Sequence, residues 1–288
     1  MSPPSATPTP ERGIDLHLHS TASDGSQTPA EVVVAAVGAH MHAIALTDHD
    51  TVAGLPVAEE AAQGTALVVI RGVELSAHDG PDEFHILGLH LSDLLQMETR
   101  LTIFRDARRD RAVRIVERLN AIGVRITFDD VLSLAGDAAL GRPHIARALV
   151  ENGWARDLRD AFDRYLGQGR PGYLDKHRLL IADAAELIHE CGGLAVFAHP
   201  GSLGTRARVE AFAKVGLDGV EVIHPSHSAE DRARLLALTE HFGLVPSGGS
   251  DSHGASEGSR MLGAMPVPTA WLTAQLERVL RRQSAGAH

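Results

Sequence analysis

Ile14-Asp15-Leu16-His17-Leu18-His19-Ser20-Thr21-Ala22-Ser23-Asp24-Gly25 begins as a short apolar run and ends in imidazoles and carboxylates, and it decides how the rest of the chain is read. Residues two apart on a strand point to the same face, so His17 and His19 share one side while Leu16 and Leu18 pack behind them. The pattern recurs. Ile44-Ala45-Leu46 leads to Thr47-Asp48-His49-Asp50, Leu67 to Val73 leads to Glu74, and His85 lies within Phe84 to Leu91. Leu194 to Ala198 leads to His199-Pro200, Val220 leads to Glu221 with His224 and His227, and Leu244 to Ser247 leads to Asp251-Ser252-His253. A carboxylate such as Glu74, at the end of an apolar run, is costly to bury unless a cation or hydrogen bonds compensate it. Clusters repeated in this way point to a multinuclear metal site.

The apolar runs read as strands at Ile14 to His19, Ala43 to Thr47, Leu67 to Glu74, Phe84 to Leu91, Leu194 to Ala198, Val220 to Ile223 and Leu244 to Ser247. Helical segments separate them: Ala30 to Val37, Val52 to Gln63, Ile181 to Glu190 before Gly192-Gly193, and Ser228 to Phe242 with Ser228 and Asp231 at capping-box spacing. Alternating strands and helices predict an α/β fold of parallel strands with helices outside, and ligands then gather at the carboxyl ends of the strands. With about seven strands against the eight of a full barrel, a distorted barrel is expected.

Between His90 and Leu194 the alternation stops. Met97 to Ile122 predicts a long Arg-rich helix with Leu101, Phe104, Ile115, Leu119 and Ile122 among its apolar positions, and shorter helices follow Thr127-Phe128-Asp129-Asp130. The expected organisation is a disordered Ser/Pro/Thr-rich tail over 1–13 and one domain over 14–285, interrupted by an all-helical insertion at about 97–176.

Composition narrows the chemistry. Cys191 is the single cysteine among 288 residues, which excludes an internal disulfide or a thiolate zinc cage and suits the cytoplasm. No apolar stretch has the length of a membrane span. The net charge of −10 argues against stable duplex nucleic-acid binding, yet Arg100 to Asp175 carries 14 basic and 11 acidic residues, so the middle of the chain is its basic part. A small or single-stranded phosphorylated substrate fits that contrast.

A His-x-His pair alone says little. His40-Met41-His42 precedes the second strand, which puts it at the opposite end from the site, and is read as a surface pair. The Arg-rich helix is read as a solvated face. Within the expected insertion, Gly141-Arg142-Pro143-His144 and Gly169-Arg170-Pro171-Gly172-Tyr173 place basic groups on turns, and a guanidinium beside glycine suits an approaching phosphate.

Taken in order, Asp15-Leu16-His17-Leu18-His19-Ser20 through Asp24-Gly25, Thr47-Asp48-His49-Asp50, Gly72-Val73-Glu74, His199-Pro200 and Ser250-Asp251-Ser252-His253 resemble the motifs of the PHP family of metal-dependent phosphoesterases. The resemblance spans Ile14 to His253. It implies a distorted seven-stranded barrel of PHP type holding two to three divalent ions, manganese, zinc or iron with manganese favoured. By the same resemblance His17, His19, Glu74 and Asp251 hold the first ion, Glu74 bridges to a second with His85 and His199, and Asp24, His49 and His253 hold the third. His78 and His90 compete with His85 for its place, and strand phase favours His85.

Such ions lower the pKa of water and spread the charge that develops on phosphoryl oxygens, so the reaction implied is phosphoester hydrolysis. The helical insertion, with Glu221 and Ser226-His227 after the sixth strand, is similar to the subgroup of 3′,5′-nucleotide bisphosphate phosphatases, whose relatives also trim RNA from its 5′ end. Arg142, His144, Arg170 and His227 then become candidate phosphate anchors, Tyr173 a neighbour of the base, and His227 the first candidate for the leaving-group acid. Ile223-His224-Pro225 departs from the pattern by adding an imidazole. Histidinol-phosphate phosphatase is the alternative within the family, and a non-catalytic metal-stabilised module of a nucleic-acid machine is the alternative outside enzymology. Substrate partners are a phosphorylated nucleotide or a short single-stranded RNA.

Overall fold

In a computed structural model, which describes residues 13–135, 141–174 and 178–286, strands β1 (Ile14–Leu18), β2 (Ala43–Leu46) and β3 (Val68–Asp79) run parallel. The tail over 1–12 lies outside the described residues. The chain then departs from the expected alternation. β3 continues past Glu74 to Asp79, turns at Gly80-Pro81, and returns as β4 (Asp82–Leu89) antiparallel to both β3 and β5 (Leu194–Phe197). Parallel order is restored from β5 through β6 (Gly219–Ile223) to β7 (Val245–Gly248).

The expectation of an all-parallel sheet is therefore corrected at β4. Two residues make a hairpin but cannot make a crossover, which takes a dozen or more. Asp79-Gly80 carried the signal, with Gly80 at φ 58°.

The seven strands form one sheet in sequence order. Beyond β7 the chain turns back onto β1: the Asp251 N–H donates to the His17 carbonyl at 3.0 Å and the His19 N–H to the Ser252 carbonyl at 2.9 Å. These bonds bring the two sheet edges together into a nearly closed, seven-stranded α/β barrel. Register shifts on β1 between Asp15 and Leu18 and on β6 between Glu221 and Ile223 bend both strands where their polar residues begin. Bulges of this kind re-aim side chains beside functional sites.

Helices α1 (Pro29–Gly38) and α2 (Leu55–Ala61) link the first strands. Thr28 and Glu31 close a reciprocal capping box on α1. After α7 (Ile181–Glu190), Gly192 takes φ 77° as the expected left-handed cap. Helix α8 (Arg206–Lys214), which the sequence reading does not include, joins β5 to β6, and α9 (Ala229–His241) joins β6 to β7 from its Ser228–Asp231 cap. The terminal helix α10 (Thr269–Gly286) packs on the barrel through Leu272 and the fully buried Gln275, whose Nε2 donates to the Pro246 carbonyl. His40 and His42 are exposed.

Residues Leu95–Arg178 form a second compact unit. Most of α3 (Leu94–Ala121), α4 (Phe128–Ala135), α5 (Arg142–Glu151) and α6 (Leu158–Ala161), which runs on into a π-helical turn at Phe162–Leu166, surround a core that includes Ile115, Leu119, Val131, Ile145 and Leu149. Ile122 is exposed rather than buried, because α3 ends one residue before it. No described helix is long and apolar enough to cross a membrane.

Candidate metal centre

Glu74 lies at the middle of β3, on the face that the β3–β4 pairing shares with His85. Glu74 sits opposite Leu87, so His85, two residues away on β4, is its diagonal neighbour. The antiparallel return thus delivers His85 to the site from the middle of its strand. His85 Nδ1 lies 2.8 Å from Glu74 Oε1. His78 faces Glu83 and His90 faces Gln275, so neither of these competitors joins the cluster.

The two Glu74 oxygens face different partners. Oε2 is 3.1 Å from Nε2 of both His17 and His19 and 3.2 Å from His49 Nδ1. Oε1 faces His85 and, at 2.9 Å, His199 Nε2. Asp251 Oδ1 completes the first group at 3.2 Å from His19 and 3.5 Å from His17. His17, His19, Glu74 and Asp251 are all buried and offer donor atoms within 4.8 Å of one another. A second group joins His49 and His85 through Glu74, and a third comprises His19, Asp24, His49 and His253. The third is the most open, with the Asp24 side chain 55% exposed.

Protons alone satisfy this arrangement poorly. The Nε2 atoms of His17 and His19 are 3.1 Å apart and point at the same carboxylate oxygen, so a proton on each would set two N–H groups against each other. Buried His19 Nδ1 has no hydrogen-bond partner. A divalent cation accepts converging imidazole and carboxylate lone pairs, and a donor set of nitrogen and oxygen without sulfur fits manganese, iron or zinc. The residues present therefore suit several such ions.

Opposing effects act on the charges of this cluster. Burial alone would push the Glu74 carboxyl up, but His17, His19 and His199 outweigh it and hold it well below the usual carboxylate range. Burial would likewise lower His17, yet Glu221 and Glu74 raise it well above an ordinary imidazole. The His253 hydrogen bond, ahead of the other causes, lowers Asp24 to about 2, and Asp24 in return raises His253. His49 is lowered by its burial.

The backbone is bent to aim these groups. His199 and Asp251 both adopt positive φ, at 29° and 51°. Such conformations cost of order 1–3 kcal/mol each in non-glycine residues and concentrate at functional sites. Gly249, just beyond β7, lets the chain pass His17, since a Cβ there would stand 2.5 Å from the His17 Cβ.

Other acids in the sequence clusters face elsewhere. Asp15 is fully buried and accepts from the backbone N–H groups of Ser250 and Gly263, while Asp48 accepts from Ser20 and Ser23. Both pin loops rather than join a donor group. Glu221, which the sequence reading left without a role, holds His17 Nδ1 at 3.0 Å through Oε1 and accepts from the His199 N–H at 2.6 Å through Oε2. Arg260, a lone arginine in a loop with no pattern to mark it, contacts Asp251 Oδ2 at 2.5 Å.

The candidate substrate residues fall into two sets. His227 is buried and uses both ring nitrogens on backbone: Nδ1–H donates to the Val222 carbonyl at 2.9 Å, and Nε2 accepts from the Gly201 N–H at 3.0 Å. No nitrogen is left to deliver a proton in this conformation. Arg142, His144 and Arg170 belong to the helical unit. There the Arg142 guanidinium lies over the Tyr173 ring at 5.4 Å and the Phe162 ring at 5.9 Å, the half-buried His144 accepts from the Gly141 N–H, and Arg170 is exposed on the turn between Gly167 and Gly172.

The PHP domain signature matches residues 15–171. The chain is 36% identical over 257 residues to a 3′,5′-nucleoside bisphosphate phosphatase of Chromobacterium violaceum, covering 87% of this chain and 90% of that one. It is 38% identical over 253 residues to the 5′-3′ exoribonuclease Rnm of Salmonella typhimurium, covering 83% and 84%. Among solved structures, a protein of Bifidobacterium adolescentis put forward as a metal-dependent phosphoesterase superposes with a TM-score of 0.68 at 32% identity, over 93% of this chain and 97% of that one. With its nearly closed seven-stranded barrel and its ordered His, Asp and Glu clusters, the chain belongs to the PHP domain family of metal-dependent phosphoesterases.

Proposed function

We propose that this protein hydrolyses the 3′-phosphate of nucleoside 3′,5′-bisphosphates to give nucleoside 5′-monophosphates, and that it also acts as a 5′-3′ exonuclease on short RNA. The observation that carries the reading is Glu74, whose Oε2 faces His17, His19 and His49 and whose Oε1 faces His85 and His199, together with relatives named for these two activities. The proposed ligands are His17, His19, Glu74 and Asp251 for a first ion, Glu74, His85 and His199 for a second, and Asp24, His49 and His253 for a third, with manganese the first choice. When bound, divalent ions supply activated water and neutralise charge developing on the phosphoryl oxygens.

The chain's own residues do the rest. Glu74 fixes the spacing between the first two groups, and Glu221 holds His17 and the turn carrying His199 at once. Arg142, His144 and Arg170, in an insertion spanning the helical unit, are the proposed phosphate anchors. The planar Arg142 cation against Tyr173 pairs a phosphate donor with an aromatic surface suited to a base. His227 braces the His199-Pro200-Gly201 turn rather than donating a proton. In the overall reaction, water adds to phosphorus, the P–O3′ bond breaks, and the 3′-hydroxyl leaves with a proton. The proposed setting is the cytoplasm, where Cys191 stays reduced.

The test is a substrate panel: manganese-loaded protein with adenosine 3′,5′-bisphosphate, histidinol phosphate and a short 5′-phosphorylated RNA. AMP with orthophosphate from the first, and 5′-mononucleotides from the RNA, are expected. Turnover of histidinol phosphate alone would move the protein to that activity.

A further inference from the structure

His224, the imidazole by which the chain departs from its subgroup's pattern, is 2% exposed and lies against the first donor group rather than on the rim. Its Nδ1 accepts a hydrogen bond from the Ser226 N–H at 3.1 Å, and the Ser226 hydroxyl stands 2.7 Å from the same nitrogen. A backbone N–H can only donate, so Nδ1 must present a lone pair and the ring proton resides on Nε2. That Nε2 faces Asp251 Oδ2 at 3.3 Å. Arg232 donates to the His224 carbonyl at 3.2 Å and secures the backbone from which the ring projects.

Asp251 therefore has an asymmetric carboxylate. Oδ2 receives His224 Nε2–H and Arg260 Nη1, whereas Oδ1 faces His17 and His19. The backbone at Asp251 is itself strained, at φ 51°, and cannot alone decide which oxygen turns inward.

We propose that His224 is a positioning residue that, by donating from Nε2 to Asp251 Oδ2, holds the aspartate so that Oδ1 alone serves the first metal ion. His224 is not itself a ligand, because its one inward nitrogen carries the proton. Outer partners that orient a metal-bound carboxylate change metal affinity by about 10–100-fold when removed. The inference rests on the proposed assignment of Asp251 as a ligand.

The test compares His224→Leu, which fills the space without a donor, with His224→Gln, whose side-chain amide can still donate. The readout is the manganese affinity of purified, metal-stripped protein against a competing chelator, with circular dichroism of the stripped protein to establish folding. His224→Leu is expected to bind manganese about 10–100-fold more weakly, and His224→Gln to stay close to the parent protein. Unchanged affinity in a folded His224→Leu protein, or an equal loss in both variants, would overturn the proposal. Should neither variant fold, nitrogen-15 NMR of the zinc-loaded parent protein decides: a proton on His224 Nε2 supports the proposal, and a proton on Nδ1 alone overturns it. Failure of the parent protein to bind any divalent ion would instead refute the metal assignment itself.

Discussion

Glu221 Oε1 lies 3.0 Å from His17 Nδ1, and both side chains are fully buried. The contact places the His17 proton on Nδ1 and leaves the Nε2 lone pair facing Glu74 and Asp251, an arrangement that also makes the imidazole more basic. Glu221→Gln keeps the shape and removes the charge. Manganese affinity is expected to fall by about 10–100-fold with folding retained, as measured by chelator competition. A variant that binds metal like the parent would show that the contact only packs.

Metal uptake should release protons. His17, His85 and His253 are each raised above an ordinary imidazole by neighbouring carboxylates, against the opposing effect of burial, and each imidazolium must shed one of its two ring protons to bind a cation. Manganese affinity should therefore rise as pH is raised through neutrality. Isothermal titration in buffers of different ionisation heats counts the protons, and a heat independent of buffer would contradict this account.

Much of the site was legible because strands convert apolar runs into direction: once Leu16 and Leu18 are buried, His17 and His19 must emerge together. The resemblance to PHP motifs supplied the proposed ligand sets, and the polar clusters at the ends of β1 and β2, on β3 and beyond β7 followed from that rule. The β4 return did not, since an apolar strand reads alike in either direction and only Asp79-Gly80 marked the hairpin. Glu221 and His224 stood in the sequence clusters, but their work depends on which atom of His17 or Asp251 they meet. Spacing along a chain holds no such information. Arg260 reaches Asp251 from an irregular loop and had no periodicity to betray it.

Asp218, just before β6, joins three elements. Its Oδ2 meets His189 Nε2 at 2.7 Å and accepts from the Ala195 N–H, and its Oδ1 meets Arg282 of α10 at 2.9 Å. Burial would push this carboxyl up, but His189, the Ala195 N–H and Arg282 together hold it below its ordinary value. Its contribution to stability is thus fully present above the ordinary carboxylate pKa and disappears as pH falls through the lowered native one. Asp218→Asn is expected to cost about 1.5–3 kcal/mol at neutral pH, the range for hydrogen bonds to a charged group. Urea denaturation of metal-free protein at pH 7 and at pH 3 checks both statements; an equal loss at both values would contradict them.

Bound ions should stabilise the fold, because the donor groups draw β1, β2, β3 and the chain beyond β7 together. At a free manganese concentration of 100 times the dissociation constant, each site adds about 2.7 kcal/mol. Thermal melting with manganese and with excess chelator measures the difference, and coincident curves would argue against metals bound to the native state.

The most direct measurement counts metal and turnover in the same samples of the parent protein and Glu74→Gln, after dialysis against manganese. The account predicts more than one ion per parent chain, with orthophosphate and AMP formed from adenosine 3′,5′-bisphosphate, and in the variant the loss of more than one ion together with turnover. A Glu74→Gln protein that keeps its manganese and its phosphate release would contradict the central claim that Glu74 joins two metal ions.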